Sequence, residues 1–281
     1  MTVVTRFAPS PTGHLHLGHA YSALVAEAEA RRAGGRFLLR IEDIDQGRCR
    51  PAFAADLMED LAWLGLAWDG PVRRQSEHFD TYREAAERLR GLGVLYPCFC
   101  TRKAIQAEIA AAGHAPHGPD GPLYPGTCRA LPADAAVERT ETGEAFALRL
   151  DVARAAELAG PVDWHDHDRG RIAADPGRFG DVVLARKDTP TSYHLAVTVD
   201  DHLQGVTLVT RGEDLLEATH VHHLLQALLD FETPEYRHHP LLLGDDGRRL
   251  AKRDRAATLR ALRDAGVSPE EVRRMAMPGG R

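Results

Sequence analysis

The sequence predicts an α/β fold built on a parallel sheet, and three observations carry that expectation. The chain opens in β-α-β order: an apolar strand at 3–7, a helical pattern at 20–32, the break Gly34-Gly35, and a second apolar strand at 36–41. Apolar residues then recur at helical spacing over 54–64 and 78–92, with Gly65 and Gly93 as stops. The later sequence returns to short apolar runs at 145–150, 181–185, 194–199 and 206–209, read as strands, before a helix over 215–229.

At 281 residues and 43% hydrophobic content the chain buries a sizeable core, as one large domain with an insertion or as two smaller ones. The formal charge of −6 excludes a broadly cationic nucleic-acid coat, so any RNA contact must come from local basic patches. No apolar stretch reaches about 18 residues, and Met1 does not open a charged-then-apolar leader, so the expected address is the cytoplasm, with no membrane contact. Four cysteines do not make a disulfide scaffold; a close pair in a reducing compartment points to a metal. The stretch 114–125, dense in Gly, Pro and His, marks a loop-rich insertion, and there is no internal repeat.

Five constellations carry chemistry. The turn from Arg6 to His19 places Pro9-Ser10-Pro11 and Gly13 before a helix that begins near Gly18. Free N–H groups and the positive end of the helix dipole there suit a polyanion, and His14, His16 and His19 add donors. No P-loop motif occurs in the stretch. In Arg40-Ile41-Glu42-Asp43-Ile44-Asp45 a strand ends in acids, where ligands of open α/β sheets bind; Glu42 then accepts from an ammonium group, or the acids cap the next helix. Tyr193, at the start of a strand expected over 193–199, is a core residue or a hydrogen-bonding partner for a small ligand, and Arg211 ends another strand with a guanidinium fork suited to a carboxylate. Cys98-Phe99-Cys100 and the distant Cys128 form a metal candidate, whereas Cys49 has no evident partner. Leu241 to Leu243 read as a strand leading through a Gly-containing turn into the basic run Arg248 to Arg253.

These residues, in this order, resemble the class I aminoacyl-tRNA synthetases, and within them the glutamyl/glutaminyl branch. His16-Leu17-Gly18-His19 matches the HIGH tetrapeptide inside RFAPSPTGxLHLG; the segment at 40–45 matches RIEDTD with Ile44 for Thr; 193–201 and 211–215 match YxLAVVVDD and RGxDL. Arg249 to Arg253 stand at the KMSKS loop: Lys252 matches the second lysine, Arg249 replaces the first, and Ala251 and Arg253 replace the serines. The resemblance implies a Rossmann-like catalytic domain over 1–96 and 188–243, an inserted zinc-bearing acceptor-type subdomain over 97–187, and the KMSKS-like loop with a short helical segment over 244–281. It implies ATP with Mg²⁺ held by His16, Gly18, His19, Arg249, Lys252 and Arg253, with His16, His19 and Lys252 catalytic. It places glutamate on Arg6, Ala8, Ser10, Glu42, Tyr193 and Arg211. It also implies one structural Zn²⁺ on Cys98, Cys100, Tyr124 and Cys128, with His114 and His117 as competitors for the fourth place.

After the basic loop the sequence offers about one helix, over 256–265, and nothing that resembles the branch's anticodon-binding region. That pattern resembles the stand-alone catalytic paralogues of the glutamyl enzymes, and so implies a monomer that activates L-glutamate and transfers it to queuosine at the wobble position of tRNA(Asp). The competing readings are a truncated enzyme charging the 3′ end of tRNA(Glu), a non-catalytic RNA-binding module, and a nucleotidyltransferase for another acid. If Arg6 or Arg211 grips the side-chain carboxylate, glutamine leaves a desolvated cation and is disfavoured by roughly 1.5–3 kcal/mol.

Overall fold

The structure is a computed structural model that describes residues 2–111, 117–119, 121–242 and 258–277. Strand β1 (Val4–Phe7) is buried along its whole length, as a strand covered on both faces must be. Helix α1 (Leu17–Arg32) follows, and β2 (Arg36–Ile41) returns parallel to β1, with Val4 opposite Arg36 and Phe7 opposite Leu39. The opening β-α-β unit is therefore as expected, its helix beginning at Leu17 rather than at residue 20. Ala20, Ala23, Ala26 and Ala30 give α1 a small-residue buried stripe, and Thr5 Oγ1 donates to the Ala26 carbonyl at 2.6 Å. The return needs Gly35, because a Cβ there would lie 2.0 Å from the Val3 carbonyl oxygen.

Helix α2 (Pro51–Trp63), strand β3 (Arg73–Arg74) beside β2, and helix α3 (Phe79–Gly91) complete the first half. Strand β4 (Leu95–Cys98), helix α4 (Arg102–Ala111), the antiparallel pair β5 (His117–Gly118) and β6 (Gly121–Pro122), helix α5 (Ala133–Glu141) and strand β7 (Ala147–Leu150) follow. Then come helix α6 (Val152–Ala159), the antiparallel pair β8 (Asp163–Asp166) and β9 (Gly170–Ala173), and strand β10 (Val183–Ala185). Antiparallel partners β4 and β10 flank β7, which sets this sheet apart from the parallel one.

The chain re-enters the parallel layer through helix α7 (Tyr193–Leu203), strand β11 (Leu208–Gly212), helix α8 (Thr219–Leu228) and strand β12 (Glu235–His239). β11 runs parallel to β12, and β12 to β8. Thr207 N–H donates to the Val4 carbonyl at 3.0 Å, so β11 lies beside β1 and the strands run in the order β3, β2, β1, β11, β12, β8. The order reverses between β1 and β11, and ligands of such sheets bind at the carboxyl ends of the strands flanking that switch point. One core lies among α1, β2, α2 and the later helices α9 (Leu259–Asp264) and α10 (Pro269–Ala276); a second lies among α3, α6, α7 and α8.

Three expectations are corrected. Residues 193–199 are not a strand but the start of α7. Their Val-Thr-Val run suggests a strand, yet every residue from Leu195 to Asp201 is buried, because helices and strands cover α7 on several sides; it shows no solvent-facing stripe to betray its period. Leu241 and Leu242 belong to no strand; the strand precedes them as β12, whose Glu-Tyr-Arg-His-His lettering does not read as a buried strand although it lies between β11 and β8. The helix expected over 215–229 begins at Thr219, after a short 3₁₀ turn at Glu213–Leu215.

Candidate active site at the switch point

A cavity of about 370 Å³ opens at the carboxyl ends of β1 and β11. Its walls include Arg6, Ala8, Ser10, Glu42, Tyr193 and Arg211, and its other end is formed by His16, Gly18 and His19. Residues from five separate stretches of the chain thus meet in one place. At the β11 end a Cβ on Gly212 would come within 2.5 Å of an Asp214 oxygen and 2.8 Å of Leu241, so both side chains would have to shift to admit one. Arg249, Lys252 and Arg253 lie outside the described residues.

At that other end, His16 is the amino-terminal cap of α1. Its extended backbone turns the chain into the helix, and its Nδ1 accepts from Gly18 N–H at 3.1 Å. His19 Nδ1 in turn accepts from His16 N–H at 3.2 Å, so the two imidazoles close a reciprocal box with ring centroids 3.8 Å apart. Because both Nδ1 atoms accept, each ring proton sits on Nε2, and each ring presents an N–H donor at the positive end of the helix dipole. The same turn is tied to the far end of the chain: Leu259 N–H donates to the Leu15 carbonyl at 2.8 Å, and His16 bridges Thr258.

The two arginines of the wall are in opposite electrostatic states. Arg6 pairs through Nε (2.9 Å) and Nη2 (3.2 Å) with Asp201, and its Nη1 donates to the Thr210 carbonyl. Arg40, fully buried beneath it, reaches Asp201 at 2.7 Å and Glu42 at 3.1 Å. Burial alone would raise the Asp201 carboxyl, but Arg6 and Arg40 hold it down at about 2. Burial pushes the Glu42 carboxyl above its ordinary range against the pull of Arg40 and Arg6. Arg211 instead donates only to neutral acceptors: Nε to His238 Nε2 (3.1 Å), Nη1 to His222 Nδ1 (3.2 Å) and Nη2 to Thr219 Oγ1 (2.6 Å). Among the described residues no carboxylate forms an ion pair with it. Tyr193, half-buried at the first turn of α7, also lines the cavity; burial raises its phenol.

Asp200 and Asp201, adjacent on α7, are both buried. Asp200 accepts from Tyr82, Gln75 and Arg73, and Asp201 from Arg6 and Arg40. These two acids and Arg40 organise the site, and the reading of single residues passed over them. Their sequence signals are the pair of acids that closes the YxLAVVVDD match and the arginine that opens the RIEDTD match. His222 and His238 gave no signal among 15 histidines.

Between the end of β4 and α5, one sulfur each from Cys98, Cys100 and Cys128 lies within 4.8 Å of the others. Tyr124 Oη stands 3.5 Å from both Cys98 Sγ and Cys100 Sγ and accepts from Cys128 N–H at 2.8 Å. Three sulfurs and a phenol oxygen thus converge as four donors, a set and spacing that fit a closed tetrahedral metal site. Against the opposing effect of burial, contacts with Tyr124 Oη and the Phe99 N–H hold the Cys128 thiol below its ordinary range. Of the competing histidines, His114 and the side chain of His117 are outside what is described. Cys49 stands apart from the cluster.

A cavity at the switch point of a parallel sheet, ended by a helix amino terminus and walled by buried arginines, belongs to a nucleotide-dependent α/β enzyme. The family described as "tRNA synthetases class I (E and Q), catalytic domain" matches residues 2–278, and the chain belongs to that family of ligases. It is 51% identical to the glutamyl-Q tRNA(Asp) synthetase of Rhodobacter capsulatus, over 97% of this chain and 99% of that protein. It is 40% identical to the glutamate–tRNA ligase of Aquifex aeolicus, of whose length it spans 55%. Among solved structures, a glutamate tRNA ligase from Elizabethkingia meningosepticum in complex with its amino acid superposes with a TM-score of 0.82 at 30% identity, over 98% of this chain and 60% of that one. No helix among the described residues is long and apolar enough to cross a membrane.

Proposed function

We propose that this chain activates L-glutamate with ATP as glutamyl-adenylate and transfers the glutamyl group to queuosine at the wobble position of tRNA(Asp). The observation that carries the acceptor is the 51% identity to the Rhodobacter capsulatus protein over nearly the whole of both chains. The observation that carries the amino acid is Arg211, whose charge is answered by no carboxylate among the described residues.

In the first step an oxygen of the glutamate α-carboxylate attacks the α-phosphorus of ATP and pyrophosphate leaves. The Nε2–H groups of His16 and His19 and the amino terminus of α1 stabilise the charge that builds on the phosphate oxygens. Lys252, with Arg249 and Arg253 beside it in sequence, supplies the further cation at the phosphates, and Mg²⁺ accompanies ATP. Arg211 holds the side-chain carboxylate, while Glu42 and Tyr193 offer oxygens to the ammonium group; Arg6, with Ala8 and Ser10, completes the wall. We assign the side chain to Arg211 rather than Arg6 because Asp201 already answers Arg6. In the second step a hydroxyl of queuosine attacks the mixed anhydride and AMP leaves. At Cys98, Cys100, Tyr124 and Cys128 we propose one structural Zn²⁺, whose four protein ligands leave it no open position.

The test is glutamate-dependent pyrophosphate exchange without tRNA, followed by charging of queuosine-bearing tRNA(Asp), unmodified tRNA(Asp) and tRNA(Glu). Exchange without tRNA and charging of the first RNA alone support the reading. Charging of tRNA(Glu) restores the truncated-ligase alternative, and absence of exchange favours a non-catalytic module.

A further inference from the structure

Arg211 is held directly by three neutral side chains, those of His238, His222 and Thr219. Its Nε–H enters His238 Nε2, so the ring proton of His238 is on Nδ1, which donates to Asp166 Oδ2 at 2.6 Å. Its Nη1–H enters His222 Nδ1, so His222 carries its proton on Nε2 and passes it toward His194 Nδ1 at 3.1 Å. Thr219 Oγ1 takes Nη2 and lies 3.3 Å from His238 Nε2. Every tautomer in this set follows from the direction in which a permanently charged guanidinium must donate. Burial and the charge of Arg211 hold His194 and His238 down at about 4 and put His222 well below its ordinary value, so all three imidazoles are neutral at physiological pH. Asp166, the carboxylate nearest in this set, is separated from Arg211 by the His238 ring and has Arg169 at 3.8 Å.

We propose that His222 and His238 are specificity-determining positioning residues: as neutral acceptors they fix the Arg211 guanidinium and leave its charge, and two of its five N–H groups, to a carboxylate of the substrate. The contrast with Arg6 gives the reason. Both arginines line one cavity and both are held by buried partners, but Arg6 meets an ionised carboxylate through two of its N–H groups, whereas no carboxylate among the described residues pairs with Arg211. An arginine held that way has little to gain from a second carboxylate. One held by imidazoles is oriented just as firmly and keeps its electrostatic demand, because an imidazole supplies a lone pair without a net charge. A substrate amide offers one carbonyl acceptor and no charge, so the arrangement favours glutamate over glutamine. The inference rests on the reading of Arg211 as the side-chain clamp.

The test compares His222→Asn with His222→Asp in pyrophosphate exchange with glutamate and with glutamine. Both replacements put an oxygen near the position of Nδ1 and both lose the His194 contact, so the pair differs mainly by one charge beside Arg211. Expected is a glutamate-over-glutamine ratio of kcat/KM at least about tenfold lower in His222→Asp than in His222→Asn, expressed in the KM for glutamate, with the KM for ATP equal in the two. His238→Gln against His238→Glu gives a second pair should an Asp at 222 fail to fold. Equal ratios within the folded pairs overturn the inference while leaving the clamp in place. A wild-type enzyme with no preference for glutamate overturns the clamp and the inference with it.

Discussion

The switch-point cavity and the sulfur cluster solve the problem of holding side chains in place by opposite means. The cavity draws on residues from Arg6 to Leu242 and rests on two extensive cores, so its geometry comes from packing over long sequence separations. The cluster draws its donor atoms from 98 to 128, and among the described residues the buried part of its core is Cys98, Phe99 and Cys128. So small an apolar core is a weak means of fixing four donor atoms, and the Zn²⁺ proposed there would supply the remaining hold. At the cavity, by contrast, buried ion pairs brace one side of the wall, where Arg6, Arg40 and Arg73 stand against Glu42, Asp200 and Asp201, while Arg211 is held by His222, His238 and Thr219.

Removing the metal proposed at Cys98, Cys100, Tyr124 and Cys128 should have the largest effect, and a local one. Structural zinc contributes on the order of 10 kcal/mol in small domains. Chelation is expected to open residues 98–146 to proteases while the parallel sheet and its helices persist, as read by mapping the cleavage sites and by circular dichroism. Loss of the whole fold in one step would erase the distinction between the two regions.

Asp201→Asn is next. It leaves Arg6 and Arg40 without their shared carboxylate, and breaking a buried pair from one side costs roughly 3–5 kcal/mol. The expected readout is a lower urea midpoint with unchanged metal content. The sign of the pH effect follows from the direction of the shift. The Asp201 carboxyl titrates lower in the folded protein, at about 2 against an ordinary 3.8, so its stabilisation is present above the ordinary value and lost as the pH falls toward 2. Wild type should lose stability through that window more steeply than Asp201→Asn; parallel profiles would count against the pair as the main acid-sensitive contact.

Arg211→Ala should have the smallest effect on the fold and a sharp one on the reaction. Loss of a charge-assisted bond worth roughly 1.5–3 kcal/mol lowers kcat/KM for glutamate about ten- to a hundredfold in pyrophosphate exchange. Arg211→Lys should not restore it, since a lysine cannot address His238, Thr219 and His222 with a fixed fork. Full activity in either variant would move the side-chain site elsewhere in the cavity.

The sequence made the β-α-β opening readable because β1 and β2 are unbroken apolar strands and Gly34-Gly35 punctuates the return. The turn at His16 to His19, the acids after β2 and the three cysteines are legible as clusters; the structure brings the turn and, of the acids, Glu42 into the cavity, while Asp43 meets Ser76 and Asp45 meets Arg48. What escaped reading shares one physical cause. β12 and the end of α7 carry polar residues inward, where hydrogen bonds replace apolar contact: His238 meets Asp166 and Arg211, and Asp200 meets Tyr82 and Gln75. Hydrophobic periodicity does not register such positions, because their burial is made tolerable by partners more than a hundred residues away in some cases and near in others. Arg40 is the clearest instance: it is fully buried near the carboxyl end of β2, and its principal partner is 161 residues along the chain.

The bridge between His16 and Thr258, with Leu259 N–H on the Leu15 carbonyl, bears on the order in which the protein is made. A ribosome that has released the chain only as far as Leu242 has delivered every described wall of the cavity. It has not delivered the partner that braces the histidine turn, nor α9 and α10, whose Leu259, Val272 and Ala276 fill the core under α1. In the nascent chain the histidine turn should therefore become firm only after residues 258–276 have emerged, later than the walls that β1 and β11 provide.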